Sequence, residues 1–137
     1  MIELIEFLQD ELLLSGTLFA LIILLIVNIY SEKFKKYEVV DTNGAVTLMD
    51  DDLIILDVRE EKERSAGFID SDLNIPMGQV KSKLDSLDKS KKILVYCKSG
   101  TRSDRTADLL CKNEFQNVYS LKGGFNAWQK AELPIKK

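Results

Sequence analysis

From Leu12 to Tyr30, "LLLSGTLFALIILLIVNIY", the chain carries no charged residue, whereas from Tyr37 onward its apolar residues fall into short runs between amphipathic stretches. The first pattern predicts a transmembrane helix over residues 12–30. Its 19 residues rise about 28 Å in a helix, enough to cross the hydrocarbon core of a bilayer. A buried core helix rarely stays apolar on every face for that length. A cleaved signal peptide is disfavoured too, because Glu3, Glu6, Asp10 and Glu11 stand where a basic leading region belongs and no small-x-small site follows. The expected organisation is a short acidic tail (1–11), the span (12–30), a basic juxtamembrane linker (31–37) and a C-terminal domain (38–137). Ser15, Gly16 and Ala20 give the span a weak small-residue face for packing against another helix.

In the domain, "LIILDV" (Leu53 to Val58) and "KILVYC" (Lys92 to Cys97) are continuous apolar runs of strand length, as expected of strands buried on both faces of a parallel sheet. "NVYSL" (Asn117 to Leu121) is a third strand, and "DLNIP" (Asp72 to Pro76) a short fourth closed by proline. Helices are expected over Thr42 to Met49, within Glu60 to Ser65, over Gln79 to Leu87, from Arg102 to Asn113, and over Phe125 to Glu132. Such alternation predicts an α/β domain, a small mostly parallel sheet flanked by helices, behind one N-terminal transmembrane helix.

Charge settles the side of the membrane. Lys33, Lys35 and Lys36 follow the span and no Lys or Arg precedes it, so the positive-inside rule puts the N-terminus outside and the domain in the cytoplasm. The expected setting is a single-pass protein of a bacterial-type inner membrane, where a free thiol persists. The 22 acidic and 19 basic residues are interspersed, with a net charge of −3, and offer no basic face for nucleic acid. There is no histidine, which removes imidazole general bases and most zinc or haem sites. Asp50, Asp51 and Asp52 read as a solvated turn, since consecutive residues cannot converge on one ion from extended backbone. No metal and no cofactor is expected.

Chemistry concentrates in "CKSGTRS" (Cys97 to Ser103). Cys97 ends what reads as a central strand, where open parallel sheets bind ligands. Gly100 permits backbone geometry that a β-carbon would obstruct. The turn into the next helix can aim consecutive N–H groups inward at the positive end of a helix dipole. With Lys98 and Arg102 nearby, that setting favours thiolate, the nucleophilic form. Cys111, sharing a helix face with Ala107, Leu110 and Phe115, reads as core.

Three segments, "LDVREEKERSAGFIDSDLNIP" (Leu56 to Pro76), "CKSGTRS" and "LKGGFNAW" (Leu121 to Trp128), in this order and spacing, resemble the rhodanese homology domain family over nearly all of residues 37–137. The resemblance implies a sulfurtransferase. Cys97 would take sulfur from a small donor such as thiosulfate or a persulfide, hold it as a persulfide and pass it to a thiophilic acceptor. The amides of Lys98, Ser99, Gly100, Thr101 and Arg102 would cradle the transferred sulfur, and the Lys98 and Arg102 cations would draw in an anionic donor. Asp57 and Arg59 match the family's "DVR" element, either as groups orienting the loop or as a structural ion pair. Gly123, Gly124 and Trp128 match an element of turn and packing. The four residues between Cys97 and Arg102 resemble sulfurtransferase loops, whereas related phosphatases and arsenate reductases use five. Where the family reads "GHIPGAxNIP", this chain has Phe68 for the histidine, and Ser71 and Asp72 for the glycine and alanine, which reads as structural drift. The alternative function is a non-catalytic adaptor tethered at the membrane and bound to another membrane protein.

Overall fold

A computed structural model of the chain describes residues 1–33, 36–50 and 52–137. Residues 34 and 35 of the basic linker, and Asp51 of the aspartate turn, lie outside the described residues. The chain divides into two units, Met1–Lys35 and Lys36–Lys137.

The described residues of the first unit form one helix, α1 (Ile2–Lys33), exposed along residues 1–30. Among the described helices it is the one long and apolar enough to cross a membrane. It is longer than the uncharged run, because the segment expected as an acidic tail is helical from Ile2. Ile2, Leu4, Ile5, Phe7 and Leu8 supply helix-compatible side chains, and Glu3 sits in the first turn, where the helix dipole favours a negative charge. Within the uncharged run the Ser15 and Thr17 hydroxyls are satisfied locally: Ser15 Oγ donates to the Leu12 carbonyl (3.1 Å) and Thr17 Oγ1 to that of Leu14 (2.9 Å). Such internal pairing is what lipid requires of a polar group.

Among its described residues the second unit holds five parallel strands: β1 (Glu38–Val40), β2 (Leu53–Asp57), β3 (Leu73–Asn74), β4 (Lys92–Tyr96) and β5 (Val118–Leu121), in the order β1-β5-β4-β2-β3. β4 is central, with Leu94 beside Ile55 of β2 and Tyr119 of β5. Its alternation feeds two cores. Ile93, Val95 and Cys97 face Val80, Leu87, Ala107, Leu110 and Cys111 on one side. Leu94 and Tyr96 face Ala45, Phe125 and Trp128 on the other.

Helices cover both faces: α2 (Thr42–Leu48), α3 (Met77–Val80), α4 (Thr101–Lys112) and α5 (Gly124–Lys130). α2 is capped by Asp41, whose carboxylate accepts the Gly44 N–H at 2.7 Å. The helix expected over Gln79 to Leu87 is instead the single turn of α3 followed by a 3₁₀ segment, Lys81–Ser86. The stretch after β2 is likewise 3₁₀, Glu61–Ala66. Both are too short for the i, i+4 ladder to prevail over the tighter turn. β1 was not foreseen: its three residues lie at the sheet edge and carry no alternation to read.

Candidate active site

Cys97 follows the last residue of β4 and is buried, 1% exposed. Its sulfur accepts the Gly100 N–H at 3.0 Å and the Ser103 N–H at 3.4 Å, and lies 3.6 Å from Ser103 Oγ. The Gly100 contact needs φ = 109°, open to glycine and strained for any other residue. Ser103 belongs to the first turn of α4, whose N–H groups have no partner inside the helix and are free to serve the sulfur. Of the expected cradle, Gly100 bonds the sulfur directly. The second donor, Ser103, lies one residue beyond it. Ser103 Oγ in turn donates to the Gly100 carbonyl (2.9 Å) and sits 3.0 Å from Ser120 Oγ, which lies 2.7 Å from Asp104 Oδ1.

The outer side of the loop is held by α5. The Phe125 N–H donates to the Cys97 carbonyl (2.7 Å) and the Asn126 N–H to that of Lys98 (3.0 Å). Because the peptides are trans and planar, fixing those two carbonyls turns the Lys98 and Ser99 amides to the side of the loop away from α5. Gly124 makes this docking possible, since a β-carbon there would lie 2.4 Å from the Cys97 carbonyl oxygen. The "GGFNAW" element therefore also shapes the loop, beyond the turn and packing expected of it. Lys98, Ser99 and Thr101 are exposed on the rim.

Arg102 is committed elsewhere than expected. Its Nη1 and Nη2 donate to Glu63 Oε2 and Oε1 at 2.7 and 2.8 Å, and each side chain of the pair is 30% exposed. Glu63 is preset by its own turn, where its carboxylate accepts the Glu60 N–H at 2.9 Å and its N–H donates to the Glu60 carbonyl. The Arg102 hydrogen bond pulls the Glu63 carboxyl down to about 2 against the effect of burial. A folded pKa below the ordinary 4.5 means the pair's contribution is complete above about 4.5 and is lost as pH falls through about 2. The Glu63 carboxyl ¹³C shift should accordingly stay flat from pH 7 to pH 4. A midpoint above 4 would mean the pair is not formed.

Asp57 and Arg59 make a buried ion pair rather than touching the sulfur. Arg59 Nη2 donates to Asp57 Oδ2 (2.9 Å) and to the Gly67 carbonyl (2.9 Å), and Arg59 N–H donates to Asp57 Oδ1 (2.9 Å). The Arg59 guanidinium also lies 4.3 Å from the Phe125 ring centre, so the pair supports the residue whose N–H holds the Cys97 carbonyl. A second arginine, Arg64, bridges Asp57 (2.7 Å) and Asp72 (2.6 and 2.9 Å) and stacks on Phe68. Tyr96 Oη donates to Asp72, and burial followed by that bond pushes its phenol above the ordinary value. Phe68 and Asp72, read from the sequence as drift, are thus working parts of this network. Ser71 adopts φ = 62° where the family pattern has glycine.

Cys111 packs in the core beside Leu110, and burial, then Asp108, push its thiol up. Both cysteines are free. Among the described residues no group of three or more potential ligands could hold a metal ion.

A parallel α/β domain with a cysteine at a central strand end, inside a backbone amide turn that opens a helix, defines a class of thiol-loop proteins. The sequence pattern of the rhodanese-like domain matches residues 42–131, and the chain belongs to that family. It is similar to the thiosulfate sulfurtransferase GlpE of Coxiella burnetii, 36% identical over 78 residues, 57% of this chain and 73% of that protein. It is also similar to the uncharacterized protein YqhL of Bacillus subtilis, 39% identical over 74 residues. That match takes in 54% of this chain and spans 59% of the relative's length. Among solved structures, a rhodanese-related protein from Thermoplasma volcanium superposes with a TM-score of 0.68 at 26% identity, over 73% of this chain and 98% of that one.

Proposed function

We propose that the chain is a sulfurtransferase anchored by α1, with its domain on the cytoplasmic face of the membrane, working through a Cys97 persulfide. The Cys97 thiolate attacks the outer sulfur of a small donor such as thiosulfate. A bond forms from Sγ to that sulfur, the donor's S–S bond breaks, and sulfite leaves with the electron pair. An acceptor nucleophile then takes the terminal sulfur and Cys97 is released as thiolate. Negative charge rests on sulfur at each stage, and the N–H groups of Gly100 and Ser103 offset it without a histidine. That pair of donors on one buried sulfur is the observation that carries the reading. The lysines after the span favour the cytoplasmic side, and the sulfurtransferase among the chain's relatives favours the reaction class.

The full chain in detergent micelles, treated with thiosulfate or an organic persulfide, should gain the mass of one sulfur atom, which cyanide removes. Cys97→Ser should abolish the gain. No gain with any donor, or a gain undiminished in Cys97→Ser, would overturn the assignment.

A further inference from the structure

The cation that ought to attract an anionic donor is already neutralised. Glu63 faces Arg102 through two hydrogen bonds and is fixed by the Glu60 N–H, so it does not need a ligand to put it there. Both partners lie at the rim, and Arg102, held first by Glu63, also interacts electrostatically with the Cys97 sulfur. An approaching donor therefore meets a carboxylate beside the Arg102 guanidinium.

Next to this pair, between the 3₁₀ segment Glu61–Ala66 and α5, is a cavity of about 230 Å³ lined by Lys62, Glu63, Ala66, Lys98, Phe125 and Gln129 among others. It is smaller than the roughly 300–1,000 Å³ of sites for drug-sized ligands. Its walls combine the Phe125 ring and Ala66 with Lys62, Lys98 and Arg59, the last already paired with Asp57, so it offers space for a small organic group and attraction for an anion. A second charge on the donor has Glu63 to contend with.

Resting on the sulfur-transfer reading, we propose that Glu63 is a charge filter on the donor: by cancelling Arg102 it favours sulfane donors with an organic group and at most one negative charge over dianionic thiosulfate. Glu63 is a specificity residue in this scheme and takes no part in bond making. Thiosulfate and methanethiosulfonate present the same sulfane sulfur to Cys97 and differ by one unit of charge, which isolates the effect. Removing the carboxylate both lifts the repulsion and frees Arg102. Two charges separated by several ångströms at a half-exposed site then give about a fivefold change per unit of charge.

The experiment measures second-order rates of persulfide formation on the full chain in detergent with each donor, by quenched mass spectrometry. In Glu63→Gln the ratio of the thiosulfate rate to the methanethiosulfonate rate should rise about fivefold, and the rise should shrink in high salt. Glu63→Ala gives the same comparison if the glutamine variant folds poorly, as judged by Trp128 fluorescence. An unchanged or lower ratio, with persulfide still forming on Cys97, overturns the filter and leaves sulfur transfer standing. Absence of persulfide on the wild-type chain from both donors and from an organic persulfide overturns sulfur transfer, and the filter with it.

Discussion

Asp57→Ala is expected to destabilise the domain by about 3–5 kcal/mol, the cost of removing one partner from a buried ion pair. For a domain of this size that corresponds to a fall in Tm of roughly 15–30 °C. Asp57 is 0% exposed and accepts from Arg59 N, Nε and Nη2 and from Arg64 Nη1. Its loss leaves the Arg59 guanidinium, in a side chain 2% exposed, without a counter-charge and holding only to the Gly67 and Glu63 carbonyls among its hydrogen-bond partners. Arg64→Ala should cost less, because Arg64 is 17% exposed and Asp57 keeps Arg59. Urea melts of the full chain in detergent, followed by the fluorescence of the single tryptophan, Trp128, buried against the sheet, would report the domain alone. Equal costs for the two variants would mean that Asp57 and Arg59 are not the keystone of the network.

The same pair shows where sequence reading reaches its limit. "DVR" announced that Asp57 and Arg59 matter, yet it left open whether they orient the loop or hold the fold. Only the third dimension brings Phe125, 66 residues after Arg59 in the chain, under the guanidinium. The loop itself was legible because strand end, glycine and helix start are contiguous, and local geometry then follows from residue type. Glu63 was not legible as a partner for Arg102, 39 residues away. Its signal was the spacing of a capping box with Glu60, which marks a turn and says nothing about what the carboxylate will face. Ser103 carries no chemical signal as a residue type, although as a residue of a helix's first turn its N–H is bound to seek an acceptor. β4 and α4 were clear from long apolar or amphipathic patterns, whereas β1 is three residues made into a strand by pairing with β5.

Gly124→Ala is expected to slow persulfide formation at Cys97 by about 100-fold while leaving the domain folded. The added methyl would sit 2.4 Å from the Cys97 carbonyl oxygen and 2.7 Å from the Lys98 carbonyl carbon, closer than such atoms approach. Those atoms are backbone, so they cannot rotate aside as a long side chain would, and either the loop or the start of α5 must move by most of an ångström. Movement of α5 would pull the Phe125 and Asn126 N–H groups off the Cys97 and Lys98 carbonyls. Movement of the loop would shift Gly100 N–H from the sulfur. Either way the reacting sulfur loses its geometry, and displacements of about 1 Å cost on the order of 100-fold in rate. Backbone strain alone does not explain the effect, because φ = 57° at Gly124 lies in the left-handed region that other residues enter for about 1–2 kcal/mol. Two controls separate the causes. Gly123→Ala, with φ = 74° and a methyl 2.7 Å from the Ala127 β-carbon, strains α5 without touching the loop, and should lower stability more than rate. Gly78→Ala, where nothing lies within 4 Å, should leave the rate unchanged and the domain slightly more stable, since alanine is the better helix former in α3. If Gly124→Ala retained the wild-type rate, the docking of α5 on the loop would have no part in setting the geometry at Cys97.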